Sequence, residues 1–161
     1  MMRKAVAVLA AIVIGCLLLP AAAAAAPAQA AAAINFDCTL ARWDRSEDFL
    51  WRFLPNNSAA YPNDLDCWLR EGDYNNFGVV ALQDMLVKCY GQAIAVDGDF
   101  GPRTREALAI AQWWEHTVND QWQVRVSGVY SWNESGAYLR WPHYRDRDDL
   151  DRYYCWYLKT K

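Results

Sequence analysis

With 161 residues the chain is sized for one domain, since domains typically run to about 100–150 residues. Its formal charge of −3, from 19 Asp and Glu against 16 Lys and Arg, argues against a phosphate-backbone binder, which neutralises a polyanion with surplus cations. The 9 Trp, 9 Tyr and 5 Phe all lie beyond residue 33; they exclude general disorder and allow a well-filled core in a small module.

Residues 1–30 read as a secretory signal peptide. Arg3 and Lys4 open it, an apolar run from Ala5 to Leu19 follows, and Pro20 leads into an alanine tract containing Ala28-Gln29-Ala30. The apolar run falls short of the roughly 20 residues that a membrane span needs. Cleavage is expected after Ala30, with Ala26 and Ala32 also acceptable, and losing the two cations takes the formal charge from −3 to −5. Val13-Ile14-Gly15-Cys16 matches a loose lipidation pattern. Leu17-Leu18-Leu19 continue the apolar run past it, however, where a lipidated cysteine normally begins a polar tether, so no lipid is expected.

Residues 31–66 form an N-terminal extension in which Phe49, Trp51 and Phe53 are loosely helical, predicting a short helix packed on the domain. Val79, Leu82, Leu86 and Cys89 then mark one helical face, which Gly91 ends as a C-terminal glycine. Asp97-Gly98-Asp99-Phe100-Gly101 forms a tight turn in which glycine takes backbone angles that other residues avoid. Pro102 suits a first helical position, and Thr104, Ala107, Leu108, Ala111 and Trp114 mark the face of a second helix. Thirty residues on, Val126-Ser127-Gly128-Val129-Tyr130-Ser131 echoes Val96-Asp97-Gly98-Asp99-Phe100-Gly101, and a shorter helix is expected from about Glu134 to Leu139. Two half-repeats that each need a neighbour to bury one face predict a mainly α fold, a compact helical bundle with a pseudo-repeat. In residues 142–161 the acids from Asp146 to Asp151 precede Tyr153-Tyr154-Cys155-Trp156-Tyr157, which suits a helix N-terminus in a C-terminal extension. Because the second turn has lost residues that the first keeps, Gly128→Val is expected to cost less than Gly98→Val.

Cys38, Cys67, Cys89 and Cys155 follow the signal, and an even count in a small exported chain predicts two disulfides. Three pairings are open. Cys67–Cys89, bracketing one helix, and Cys38–Cys155, tying the two tails, are the pairs favoured here. No two of these cysteines lie closer than 22 residues and there are 2 histidines, so no metal site is expected.

Four pieces in register resemble the peptidoglycan-binding type 1 domain family of bacterial cell-wall proteins. They are Leu69-x-x-Gly72-Asp73; Val79-x-x-Leu82-Gln83-x-x-Leu86; Val96-Asp97-Gly98-x-Phe100-Gly101-x-x-Thr104; and Ala107-Leu108-x-x-x-Gln112. The second-half Val126-Ser127-Gly128-Val129-Tyr130 sits where that family repeats its turn, although without the acidic residue. The resemblance covers residues 67–141 and implies a three-helix domain that holds secreted proteins on the cell wall.

Catalytic chemistry is poorly provided for. His116 and His143 do not supply the grouped ligands of a zinc hydrolase, and four cysteines committed to two bridges leave no thiolate nucleophile. Glu71, Glu106, Glu115 and Glu134 are candidates for a glycosidase pair only as any carboxylates are, and each is expected to be an exposed helix charge. Asp97 and Asp99 alternate in a glycine loop, but Leu108 stands where a calcium hand needs its bidentate Glu, so Asp97 is expected to stabilise the turn. Aromatic rings remain as a means of covering sugar faces: Trp113, Trp114, Tyr130 and Trp132 flank the second turn and helix, and Arg103, beside the turn and near a helix start, is the candidate to meet a stem-peptide carboxylate. The resulting expectation is a secreted, monomeric, non-catalytic module that binds peptidoglycan. It needs no cofactor and contacts neither nucleic acid nor, once the signal is removed, a membrane. A secreted protein-interaction or inhibitor module is the alternative, and a minimal cell-wall hydrolase a third, weaker one.

Overall fold

The computed structural model describes residues 37–46, 48–57 and 65–158; the signal segment, its cleavage site and Cys16 lie outside the described residues. The described residues cluster as one unit. In chain order the elements are β1 (Leu40–Arg45), β2 (Trp51–Asn56), β3 (Trp68–Leu69), α1 (Phe77–Tyr90), α2 (Pro102–Thr117), β4 (Tyr130–Ser131), a π-type turn (Trp132–Gly136), β5 (Arg140–Tyr144) and β6 (Tyr153–Tyr157). Four strands form one antiparallel sheet in the order β1-β2-β5-β6, and β3 pairs with β4 in a second. The expected mainly α three-helix bundle is thus corrected: strands outnumber helices, and the third helix is a single π turn.

The correction has a local cause. Trp51, Phe53 and Pro55 recur every second residue, which is the period of a strand. β2 pairs with β1 from Leu40↔Asn56 to Arg45↔Trp51, setting the Trp43 ring 5.1 Å from Phe53, so the expected short helix is one arm of a hairpin. Tyr153, Cys155 and Tyr157 alternate in the same way, and β6 lies against β5 with Arg140↔Tyr157 and Tyr144↔Tyr153 in register. The acidic run before it is a hairpin turn, not a helix start. Trp51↔Tyr144 joins the two hairpins into one sheet.

The two long helices form where their sequence punctuation puts them. Asn76 caps α1, its Oδ1 accepting from Gly78 N at 2.7 Å and Val79 N at 3.3 Å, and Gly91 closes it in the left-handed region at φ 62°. Pro102 opens α2. Val79, Leu82 and Leu86 of α1 meet Leu108 and Ala111 of α2, Leu54 of β2, Leu69 of β3, Tyr130 of β4 and Trp141 of β5 in one buried cluster. Each large apolar side chain there stabilises the fold by about 1.5–3 kcal/mol. Trp114, expected on the inward face of α2, lies outside, and Glu115 takes the inward place.

The disulfides are Cys38–Cys67 and Cys89–Cys155, correcting the pairs favoured from spacing. Cys38 is placed by its N–H bond to Trp68 O at 2.9 Å, which sets it beside Cys67. Cys155 is delivered to the last turn of α1 by the β5–β6 register. Two bridges fit an oxidising environment. No helix among the described residues is long and apolar enough to cross a membrane.

Candidate functional site

The two echoing turns are held by two glutamines in the same way. Gln83 Oε1 accepts from Asp97 N at 3.0 Å and Gly98 N at 2.9 Å; Gln112 Oε1 accepts from Ser127 N at 3.0 Å and Gly128 N at 2.9 Å. Gln83 Nε2 donates to Asp99 O and Thr104 Oγ1, while Gln112 Nε2 donates to Val129 O and Ser135 Oγ. Ser127 also replaces Asp97: Asp99 N–H closes on Asp97 Oδ1 at 2.9 Å, and Val129 N–H closes on Ser127 Oγ at 3.2 Å. The Asp99 N–H, and after it the Gln83 amide, hold the Asp97 carboxyl below its ordinary range. Asp97 thus directs its carboxylate at internal donors, and no group of three or more His, Cys, Asp or Glu among the described residues is placed to hold a metal ion.

This equivalence changes the expectation for the two glycines. Gly98 has φ 82° and a Cβ there would lie 3.3 Å from Asn76 N and O; Gly128 has φ 69° and a Cβ would lie 2.8 Å from Arg105 Cγ and 3.1 Å from Arg105 O. Gly98→Val and Gly128→Val are therefore expected to cost comparable amounts, about 1–3 kcal/mol each from backbone strain, with more from the contacts. Urea melts of the two variants read this directly. A Gly128 variant as stable as the parent would mean that the second turn yields freely.

The five predicted ligand-binding residues do not form one site. Arg103 and Trp113 are exposed and, with Trp114, share by helical spacing the outward face of α2, where Trp113 and Trp114 are 49% and 44% exposed. Ile110 and Val118 extend that face as an apolar stripe. Tyr130 is removed from the set, because it is fully buried, edge-on to Trp141 at 6.1 Å, with its ring against Gly136. Burial raises its hydroxyl pKa far above the usual tyrosine value. Trp132 is half-buried on the π turn.

Of the glycosidase candidates, Glu71 pairs with Arg105 at 3.1 Å and Glu134 with Arg125 at 3.4 Å, while Glu106 is exposed. Glu115 departs from expectation, being 0% exposed. Its Oε1 accepts from Tyr90 OH at 2.8 Å and Arg140 Nε at 2.9 Å; its Oε2 accepts from Tyr157 OH and Asn119 Nδ2, both at 2.9 Å. Burial, and then Glu115, raise the Tyr90 pKa well above its ordinary value, so the Tyr90 hydroxyl stays protonated as a donor at neutral pH. Four internal donors occupy the carboxylate, which makes it a strut joining both helices to β5 and β6.

A second surface lies along β6 and was not singled out from the sequence. One groove, of about 420 Å³, is lined by Asp48, Arg52, His143, Tyr154 and Trp156 among others. The other, of about 480 Å³, is lined by Arg145, Arg152, Tyr153 and the same Tyr154. The rings are held by the sheet: Tyr154 stacks on His143 with centroids 5.4 Å apart and planes 14° apart, and Trp156 stands opposite buried Trp141 in the ladder. Arg52 is fixed by its ion pair with Asp44. His143 Nδ1 lies 2.9 Å from Trp141 O, which as a carbonyl must accept, leaving Nε2 as an acceptor. Burial lowers the His143 pKa, so the imidazole is neutral at pH 7. The clue available in the sequence was the alternation in Tyr153-Tyr154-Cys155-Trp156-Tyr157, which turns Tyr154 and Trp156 to one face once Cys155 is tied to α1.

No family model, curated protein or solved structure matches the chain.

Proposed function

We propose that the protein is a secreted, non-catalytic module that binds bacterial cell-wall peptidoglycan. The observation that carries this reading is the pair of glutamine-held turns, since Val96-Asp97-Gly98 and Val126-Ser127-Gly128, with the glutamines Gln83 and Gln112, are among the segments in which the chain resembles wall-binding domains. Exposed rings, near the C-terminal end of α2 and along β6, support it as surfaces that cover sugar faces without needing charge. The two disulfides fit an extracytoplasmic setting.

Sedimentation with purified, acid-stripped peptidoglycan tests the proposal. The protein is expected to pellet with the wall, and to do so in moderate salt, because a net acidic chain facing an anionic wall has little long-range attraction to screen. Protein left in the supernatant at every salt concentration overturns the reading. A protein-interaction module is then the better account, and the Ile110, Trp113, Trp114 and Val118 stripe is the observation that favours it. Release of dye from labelled wall is not expected; its appearance would revive the hydrolase reading.

A further inference from the structure

We infer that the two grooves meeting at Tyr154 form one elongated site for an acidic saccharide, a glycan with carboxylates on or beside its sugar rings. The inference rests on the wall-binding reading for the source of that glycan, the peptidoglycan strand with its lactyl and stem-peptide carboxylates.

Shape and chemistry both point this way. Tyr154 and Trp156 are 45% and 53% exposed although they stand on a sheet strand whose neighbours fix them, and exposed rings held by rigid elements suit the apolar faces of successive sugars. Polar groups share the lining with the rings, as hydroxyl recognition requires: Arg52 donates, and Asp48 and the His143 Nε2 accept. Charge then separates an acidic from a neutral saccharide. Arg52 is already paired with Asp44, so the cations open to a ligand are Arg145 and Arg152, at the end of the site away from Asp48. Arg145 has no ion pair among the described residues. Arg152 has one with Asp149 at 3.6 Å, between side chains 82% and 45% exposed, and such a pair yields readily to a bound carboxylate.

The test is calorimetric titration of the full chain with a soluble muropeptide whose stem carboxylates are free, and with a neutral chito-oligosaccharide. The acidic ligand is expected to bind about tenfold more tightly or better. Trp156→Ala and Tyr154→Ala are each expected to weaken it about tenfold while leaving the urea midpoint unchanged, with Trp156→Phe recovering most of the loss. Trp122→Ala, on the exposed loop after α2, is expected to bind as the parent does. Equal affinity for both ligands overturns the acidic assignment. If the parent sediments with intact wall and the Tyr154 and Trp156 variants sediment equally well, the groove assignment falls and the wall-binding reading stands. If the parent fails to sediment but binds the soluble acidic fragment through Trp156, the groove stands and the wall falls.

Discussion

Glu115→Ala is expected to destabilise the fold by about 3 kcal/mol, the low end of the cost of breaking a buried ion pair, because the Arg140 side chain left behind is 30% exposed. The carboxylate is fully buried and receives four side-chain donors, from Tyr90, Asn119, Arg140 and Tyr157. Its removal strands the Arg140 guanidinium beside the Tyr90 hydroxyl, neither of which has another acceptor in the hub. Glu115→Gln is expected to cost less, since it keeps the shape and one acceptor oxygen but turns its amide toward donors. Urea denaturation of both variants measures the difference. Loss of less than about 1 kcal/mol in the alanine variant would show that water replaces the carboxylate freely and that the four elements are not joined through it.

Opening the disulfides is the second large effect, and their order is fixed by loop length. Cys89–Cys155 closes a sequence separation of 66 and Cys38–Cys67 one of 29. Chain-entropy estimates give about 4.3 and about 3.6 kcal/mol, so Cys89→Ser with Cys155→Ser is expected to lose about 0.7 kcal/mol more than Cys38→Ser with Cys67→Ser. The first pair also fixes the outer strand β6 to α1, so its loss is expected to loosen the grooves at Tyr154. Melts of the two double variants give the order. Non-reducing peptide mapping checks the pairing itself, and a Cys67–Cys89 peptide would overturn it.

The helices were readable because their signals are local. Gly91 and Pro102 punctuate them, and Val79, Leu82 and Leu86 sit at helical spacing, so α1 and α2 were placed to within a few residues. The strands carried a local signal as well. Phe49, Trp51 and Phe53 are spaced by two, but with apolar Leu50 breaking the alternation and a loop on either side the run passed for a helix turn. What no window of sequence holds is the partner of each strand. Trp51 meets Tyr144 and Arg140 meets Tyr157 only through the tertiary fold. The cysteine pairs depend on those meetings, so spacing alone could not select one connectivity of three. Glu115 looked like any helix carboxylate because its donors Tyr90, Arg140 and Tyr157 lie far off in sequence. Among the rings, Tyr130 and Tyr154 are alike as letters; their opposite burial comes from the π turn closing over one and the outer strand presenting the other.

The strand order β1-β2-β5-β6 has a consequence for how the chain assembles in time. The β1–β2 hairpin is made first during synthesis, yet β2 has no neighbour on its inner side until β5 arrives, with both helices and the β3–β4 pair intervening. Closing so large a loop before any ladder bond rewards it slows folding, and until then the hairpin offers an unpaired edge to other chains. Cys38 and Cys67 can oxidise early, whereas Cys89 must wait as a free thiol for Cys155, exposed to the wrong partner meanwhile. Refolding from the reduced state is therefore expected to pass through a species with one bridge, and catalysis of disulfide exchange should accelerate the last step far more than the first.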